Sequence, residues 1–453
     1  MKRARKIISA VIITVLMLST VFSLAADAEV LTTTTAANNA SVWDGTFPTP
    51  VNTPTFSGGS GTENDPWLIS SAADLAMLSE VVRAGIKNFR GEYVKLTVDI
   101  YLNDTEGWQN WGTNPPANVW RPIGADFASK ADENLFAGTF DGDGHAIYGM
   151  YCYGDGQNGV DDEAFGLFSI LNGTVKNLAV LDSYVYATNR YVGAIAGHTS
   201  YTDVTGDIIN CLSNAICVSD TLVGGLCGMV GGEISNCLFV GKVIGGTSQI
   251  GGIAGQIGSG YASGTGSNCV MRGTVTSTSP LPTRIGSVYG YLRVASSPKP
   301  FAGTVTNNYY VKDNNTFGGA EDADIAGGAE GKTLAEINSP TAVDDLKLDP
   351  DFWVYDAVEG LTLKTFLGKL PPANDTEETT TAAPEETTAP GPQDTTKGPT
   401  ETSGTEDTTE GKVETTTGKS EDKEKKSCKS VVSANLVWFA LPALFVLKKG
   451  KKH

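Results

Sequence analysis

The chain has 453 residues, a formal net charge of −18 and 19% charged residues. That is too long for one small compact unit, and the acidic excess repels anionic partners, so nucleic acid is not an expected partner. Seven cysteines is an odd number, so at least one thiol stays unpaired whatever the others do.

Lys2, Arg3, Arg5 and Lys6 precede an apolar run from Ile7 to Ala26, and Ala26-Asp27-Ala28 fits a small-x-small cleavage site. Residues 1–28 therefore read as a secretory signal peptide, with an uncleaved signal anchor as the alternative because the apolar run is long. A Thr-rich spacer containing "LTTTTAANNA" occupies 29–57, and a folded domain is expected over 58–372. Ser71 to Arg83 predicts an amphipathic helix with Ser71 as N-cap and Leu75, Leu78, Val81 and Val82 as its apolar stripe. Such a helix could cover an open end of the domain.

"DGDGH", Asp141 to His145, has the look of a calcium loop. Counted from Asp141, the EF-hand positions for Gly and Glu hold Ala146 and Cys152, so the stretch reads as a turn between strands. "DDE", Asp161 to Glu163, is the nearest approach to a catalytic carboxylate pair, and a solvated charged loop is the simpler reading. The histidines are His145, His198 and His453, without an H-E-x-x-H. G-x-S-x-G and phosphate-loop motifs are missing too. Neither a metal nor a cofactor is expected.

The fifty-three glycines concentrate between Gly138 and Gly331, and there the chain repeats itself. Aligned on Asn without gaps, "NLAVLDSYVYA" from Asn177, "NCLSNAICVSD" from Asn210, "NCLFVGKVIGG" from Asn236 and "NCVMRGTVTST" from Asn268 superpose, with a weaker copy from Asn308. Seven residues after each Asn stand Tyr184, Cys217, Val243, Val275 and Asn315. A second column is "VGAIAG", "VGGLCG", "IGGIAG" and "IGSVYG", holding Gly193, Gly224, Gly251 and Gly286, with "FGLFSI" from Phe165 as a degenerate earlier member.

A unit of about 30 residues built from short apolar runs cannot bury a face alone, but it can when stacked on copies of itself. Equivalent residues then form columns about 4.8 Å apart. Asn177, Asn210, Asn236 and Asn268 are expected at a turn, where Asn tolerates left-handed backbone and its amides can ladder. Cys211, Cys237 and Cys269 are expected inward, buried and reduced, because Cys packs as a small hydrophobe and no CxxC or His cluster points to metal.

The glycine motifs resemble the GLUG motif of bacterial extracellular proteins, also found near surface-exposed IgA-type metalloproteases. "GTENDPWLISSAADLAMLSEVV", "GEYVKLTVDIYLND", "WRPIG" and "FAGTFDGDGHAIYGM" fit the same pattern, over roughly Gly58 to Lys364. The resemblance implies an all-β fold, a right-handed parallel β-helix on a cell surface, and no defined activity. An LPxTG-type wall-sorting signal is missing.

Loops of unequal length leave the repeat between the glycine and Asn columns, and Tyr201 and Tyr261 on them are candidates for contacting a glycan or protein ligand. Past the repeats, "TLAE", Thr333 to Glu336, is a capping-box signature, and "DPDFWVYDAVEGLTLKTF" reads as a unit plugging the far end.

Residues 373–428 form a Thr/Glu/Pro-rich stalk; from Asn374 to Ser427 it holds 14 acidic and 6 basic residues, a net of −8. It lacks the apolar surface to offset ordering entropy and reads as disordered. Val431 to Leu447 reads as a transmembrane helix with Lys448, Lys449, Lys451 and Lys452 in a basic cytoplasmic tail, 448–453. The sequence thus predicts a β-helix held outside a bacterial cell by a single membrane span and serving adhesion or ligand binding without catalysis. The alternative is a carbohydrate-active β-helix enzyme.

Overall fold

The structure, a computed structural model, describes residues 41–124, 132–155, 164–201, 204–298 and 300–373. The signal peptide, the DDE stretch, the stalk from Asn374, the expected membrane span and the basic tail lie outside the described residues. Among the described residues no helix is long and apolar enough to cross a membrane.

The fold is all-β and β-helix-like. Four parallel sheets run along the stack, and the chain visits them in turn. One coil shows the rule: Asp207–Ile209 in the first sheet, Leu212–Ser213 in the second, Ile216–Gly224 in the third and Cys227–Val230 in the fourth. The next coil repeats this, and Ile208 pairs with Ile234, Leu212 with Leu238, Cys217 with Val243 and Cys227 with Ala254. Alternation within each short strand decides what enters the core. Cys211 points inward, Leu212 outward and Ser213 inward, so each coil has an inner and an outer apolar column.

Helix α1, Ala72–Arg83, is capped by Ser71, whose side chain accepts the Asp74 N–H. Leu75, Leu78, Val81 and Val82 are fully buried in the main core. The helix follows Trp67–Ile69, the terminal strand of the first sheet, and its Ser79 Oγ reaches the carbonyls of Arg121 and Pro122. It therefore shields the end where strand edges would be open.

The structure departs from the sequence reading in four places. The folded body begins at least as early as Ser41: Trp43 is 6% exposed, packs on Phe47 and Trp120, and donates its backbone N–H to Tyr101. The spacer over 29–57 is thus part of the fold from there on, because its aromatic residues have a core to enter.

The gapless repeat alignment fails in its first copy. Tyr184 pairs with Ile216, and Val185 is the residue in register with Cys217, because the turn before it holds one extra residue. It fails again in the last copy. Val270 pairs with Tyr309, so Asn307, with φ 58°, continues the turn column, and Asn308 takes the inward place of the cysteines.

Finally, the C-terminal unit does not plug the far end. Leu334–Ile337, Ala342–Asp345 and the antiparallel hairpin Trp353–Asp356/Gly360–Leu363 lie along the side of the stack. Trp353, Leu361, Leu363 and Phe366 bury the outward column of Ala146, Ala179, Leu212, Leu238 and Val270. This strap is needed because that column would otherwise be an exposed apolar stripe across five coils.

Candidate functional site

The glycine-rich motif is a corner of the scaffold. At each copy the chain passes from the third sheet to the fourth so tightly that backbone lies on backbone. A Cβ on Gly224 would sit 2.2 Å from the Cys227 carbonyl oxygen, and one on Gly251 2.2 Å from that of Ala254. Gly286 meets the Tyr289 carbonyl oxygen at 2.3 Å, and Gly193 meets the backbone of Cys227 in the next coil at 2.4 Å. Just before these glycines Tyr191, Leu222, Gln249 and Arg284 all have positive φ, 52–60°. Left-handed backbone costs a non-glycine residue about 1–2 kcal/mol. Side-chain contacts at the corner offset it in each coil: Tyr191 on His198 with centroids 5.0 Å apart, Leu222 with Met229, Gln249 with Gln256, and Arg284 over Tyr291 at 4.1 Å. One further member, Phe317-Gly318-Gly319-Ala320, closes the series, with Ala320 bridging Tyr289. The interruption by "AED" hides it in the sequence.

The Asn column stands at the turn from first to second sheet. Asn177, Asn210, Asn236 and Asn268 have φ of 50–52°. Asn210 Nδ2 donates to Asn177 Oδ1 at 2.7 Å, and Asn177 Nδ2 to Asp141 Oδ1 at 2.9 Å. Asn307 Nδ2 donates to Asn268 Oδ1 at 2.8 Å. Cys211, Cys237 and Cys269 stack inward with no exposure, and the six described cysteines are free thiols. Burial pushes the Cys237 thiol well above its usual range, and the flanking Cys211 and Cys269 push it further. Asn308 ends this column, donating to three carbonyls and accepting from the Cys269 N–H and the Tyr289 hydroxyl. The column is enclosed scaffold, although the buried Asn210 and Asn236 side-chain oxygens accept no hydrogen bond.

The "DGDGH" carboxylates are likewise occupied. Asp141 accepts from the Asp143 N–H and from Asn177 and faces Lys176 at 3.4 Å, while Asp143 pairs with Lys95 at 2.8 Å. His145 Nδ1 lies 3.2 Å from Asp99 Oδ1. Among the described residues no group of three or more His, Cys, Asp or Glu could hold a metal ion.

On the loop face, Tyr201 ends the outer arm of a small antiparallel hairpin, Ser200–Tyr201 with Val204–Thr205. Tyr261 is 51% exposed, and its backbone N–H donates to Ser259 Oγ. Ser200 Oγ reaches Ser259 Oγ at 2.7 Å across Gly231, so loops two coils apart share one surface.

An aromatic cluster on the third sheet was not anticipated. Tyr151 and Tyr153 of the strand Tyr151–Gly154 and Tyr184 and Tyr186 of the strand Tyr184–Val192 all point outward from the third sheet. Tyr153 and Tyr186 stack at 4.9 Å and 15°, Tyr151 and Tyr184 at 6.0 Å and 26°. Trp111 meets Tyr151 edge-on at 6.0 Å, and Trp108, Ile216 and Val218 pack at the border. Tyr153 is 39% exposed, while Tyr151 and Tyr184 are below 10%. The rings turn faces on one another, and of the four Tyr153 is the most open to solvent. Burial pushes the Tyr184 hydroxyl up to about 12 and that of Tyr151 further. Tyr153 and Tyr186 move the same way, chiefly by burial. All four are neutral hydroxyls at physiological pH, able to donate and accept. The signal was legible: "YCY" and "YVY" alternate with period two in consecutive coils.

No family model matches the chain. It is 29% identical over 199 residues to halomucin of Haloquadratum walsbyi, covering 44% of this chain and 2% of that protein. It is 30% identical over 149 residues to a protein of Evansella cellulosilytica provisionally named as a Gly-rich membrane protein, covering 32% of this chain and 14% of the relative. The chain thus spans only a small part of either curated relative's length. A solved structure from Bacteroides ovatus, provisionally titled an immunoglobulin A1 protease, aligns with a TM-score of 0.43 at 20% identity, over 68% of this chain and 95% of that one.

Proposed function

We propose that the chain is a GLUG-type β-helix displayed on a bacterial cell surface, and that it binds an extracellular glycan through the tyrosine face without catalysis. The observation that carries this is the group of four outward tyrosines, neutral at physiological pH as phenols ordinarily are and held in register by the strand pairing beneath them. Neutral hydroxyls beside aromatic edges match the alternating C–H and O–H surface of an uncharged sugar. The surface location draws on the signal-peptide and apolar C-terminal patterns of the sequence. The names of the two relatives, a halomucin and a membrane protein, agree with it. Anchoring by a single span over Val431 to Leu447, with the stalk between, belongs to the same proposal.

The enzyme alternative needs two carboxylates converging on a groove. Asp141, Asp143 and Asp99 are engaged by lysines and amides instead. A glycan array probed with the full chain tests the binding reading, alongside a Tyr153→Ser/Tyr186→Ser variant. Binding that the double substitution abolishes supports it. Binding unaffected by the substitution moves the site to the loop face of Tyr201 and Tyr261, and hydrolysed glycan would establish the enzyme.

A further inference from the structure

The strap, Thr333 to Ala373, bonds its backbone to itself. Among the described residues all of its main-chain to main-chain hydrogen bonds are internal, as from Leu346 to Ala342, Trp353 to Asp349, Lys364 to Phe352 and Ala373 back to Val358. Its two hairpin strands pair only with each other. The coils beneath are joined differently. Leu212, Leu238 and Val270, which the strap covers, donate their N–H groups to Leu178, Cys211 and Cys237 of the coil before.

The strap meets the stack through side chains. The Arg272 guanidinium donates to the Glu359 and Leu361 carbonyls at 2.8 Å, and Asn307 Nδ2 donates to the Lys347 carbonyl at 3.1 Å. Asn210 Nδ2 donates to Thr365 Oγ1 at 2.9 Å, and Lys369 Nζ pairs with both Asp99 oxygens at 3.0 Å. The apolar contacts divide along the same line. Trp353, Leu361, Leu363 and Phe366 share a cluster with Ala179 and Leu238, separate from the interior of the stack, and no strap residue enters that interior. Four buried polar atoms of the strap and its seat make no hydrogen bond: Arg272 Nε, Trp353 Nε1, Glu359 Oε2 and Thr362 Oγ1. Each regains water when the strap lifts, which favours the open state.

We infer that the strap is a cover that opens ahead of the stack: it lifts while the coils stay paired, and bares the apolar column of Ala179, Leu212, Leu238 and Val270. Its hinge is the step from Lys332, paired with Val311 in the second sheet, to Thr333. Opening breaks side-chain attachments and one apolar cluster. Unfolding a coil breaks its backbone pairing and the interior core as well, so it lies higher in free energy. The strap is too short to hold a core alone and loosens as it lifts. The column is then presented on a stack still in register.

Two measurements on the full chain test this. In native-state hydrogen exchange, the Leu346, Trp353 and Lys364 amides should exchange at least about 100-fold faster than those of Leu212, Leu238 and Val270 in the ladder beneath. Phe366→Ala should speed the strap amides by at least about 100-fold and leave the ladder amides unchanged. Thr362→Val, which deletes an unbonded hydroxyl, should slow the strap amides by about tenfold. In a Cys428→Ser background, a thiol placed by Ala179→Cys should be alkylated long before the six buried native thiols. Ladder amides that exchange at the strap's rate, or that speed up with Phe366→Ala, would overturn the inference. So would an Ala179→Cys thiol labelled only together with the native ones.

Discussion

Two outward apolar columns run down this stack side by side, and the described residues cover one of them far more fully than the other. Under the strap lie Ala179, Leu212, Leu238 and Val270, all without exposure. On the third sheet lie Tyr153 and Tyr186, continued by Val218 and Ile244, with solvent beyond them. The same two-residue alternation produces both. Their composition differs because their surroundings do. A covered column can be purely aliphatic, whereas an open one is stable with rings that carry hydroxyls at their outer edge. The covered column is thus core by adoption, and the open one is a surface available to a partner.

The comparison breaks most visibly if the cover is removed. A chain ending at Lys332 bares the column from Ala146 to Val270 and should aggregate or fail to accumulate as a folded protein. Trp353→Ala, a milder cut at the same contact, should cost about 3–5 kcal/mol, read from urea unfolding. A variant as stable as the parent would mean that the strap rests on the stack without stabilising it.

Single truncations sharpen the contrast. Leu238→Ala, under the strap, should cost about 2–5 kcal/mol, as for a core leucine. Val218→Ala, at the same kind of outward position on the open face, should cost under about 1 kcal/mol, because little area is lost from burial. Similar costs at both sites would mean that the tyrosine face is covered in solution, and small-angle scattering should then show self-association.

Most of the repeat was readable because it is written in single residues at fixed offsets. Asn at a left-handed turn and glycine at a backbone contact are positions where few other residues fit, so they recur visibly. What escaped is of another kind. The extra residue before Tyr184 shifts register without changing the pattern of apolar residues nearby. Asn307 and Asn308 are chemically the same, and only the ladder tells which one turns. The strap was legible as a folded unit, through Thr333 and the Glu336 box, but its place was not. Its apolar residues fit an end or a side equally well. The outward Leu212 and Leu238, adjacent to inward cysteines, were the clue that a side needed cover.

The turn column gives a smaller effect. Asn236→Ala should cost about 1–2 kcal/mol, since alanine resists the φ of 50° that Asn236 adopts. Asn236→Gly should recover most of this, because glycine has no Cβ to clash. An alanine variant equal to the parent would show that the turn relaxes to another geometry.

The smallest effects concern pH, and here the strap itself carries opposing groups. Where Lys369 meets the first coil, burial raises the Asp99 carboxyl, but the Ala146 N–H, Lys369 and His145 outweigh that and hold it below its usual range. A depressed carboxylate contributes stability that is present above its unfolded value and lost as pH falls through its folded one. Midway along the strap, Glu359 is 2% exposed, and burial raises its carboxyl despite the N–H of Leu370. Glu359 therefore contributes stability that is present below its unfolded value and lost as pH rises through the folded one. Acid should loosen the Lys369–Asp99 attachment while relieving the buried charge of Glu359. Hydrogen exchange across the strap resolves the two. Asp99→Asn should speed exchange near Leu370 at neutral pH and remove its acid dependence. Glu359→Gln keeps an oxygen for the Leu370 N–H and removes a buried charge, so it should slow exchange around Leu361 at neutral pH and change little in acid. A Glu359→Gln variant that exchanges faster at neutral pH would mean that its carboxylate is stabilised by Arg272 more than burial penalises it, and the opposition within the strap would vanish.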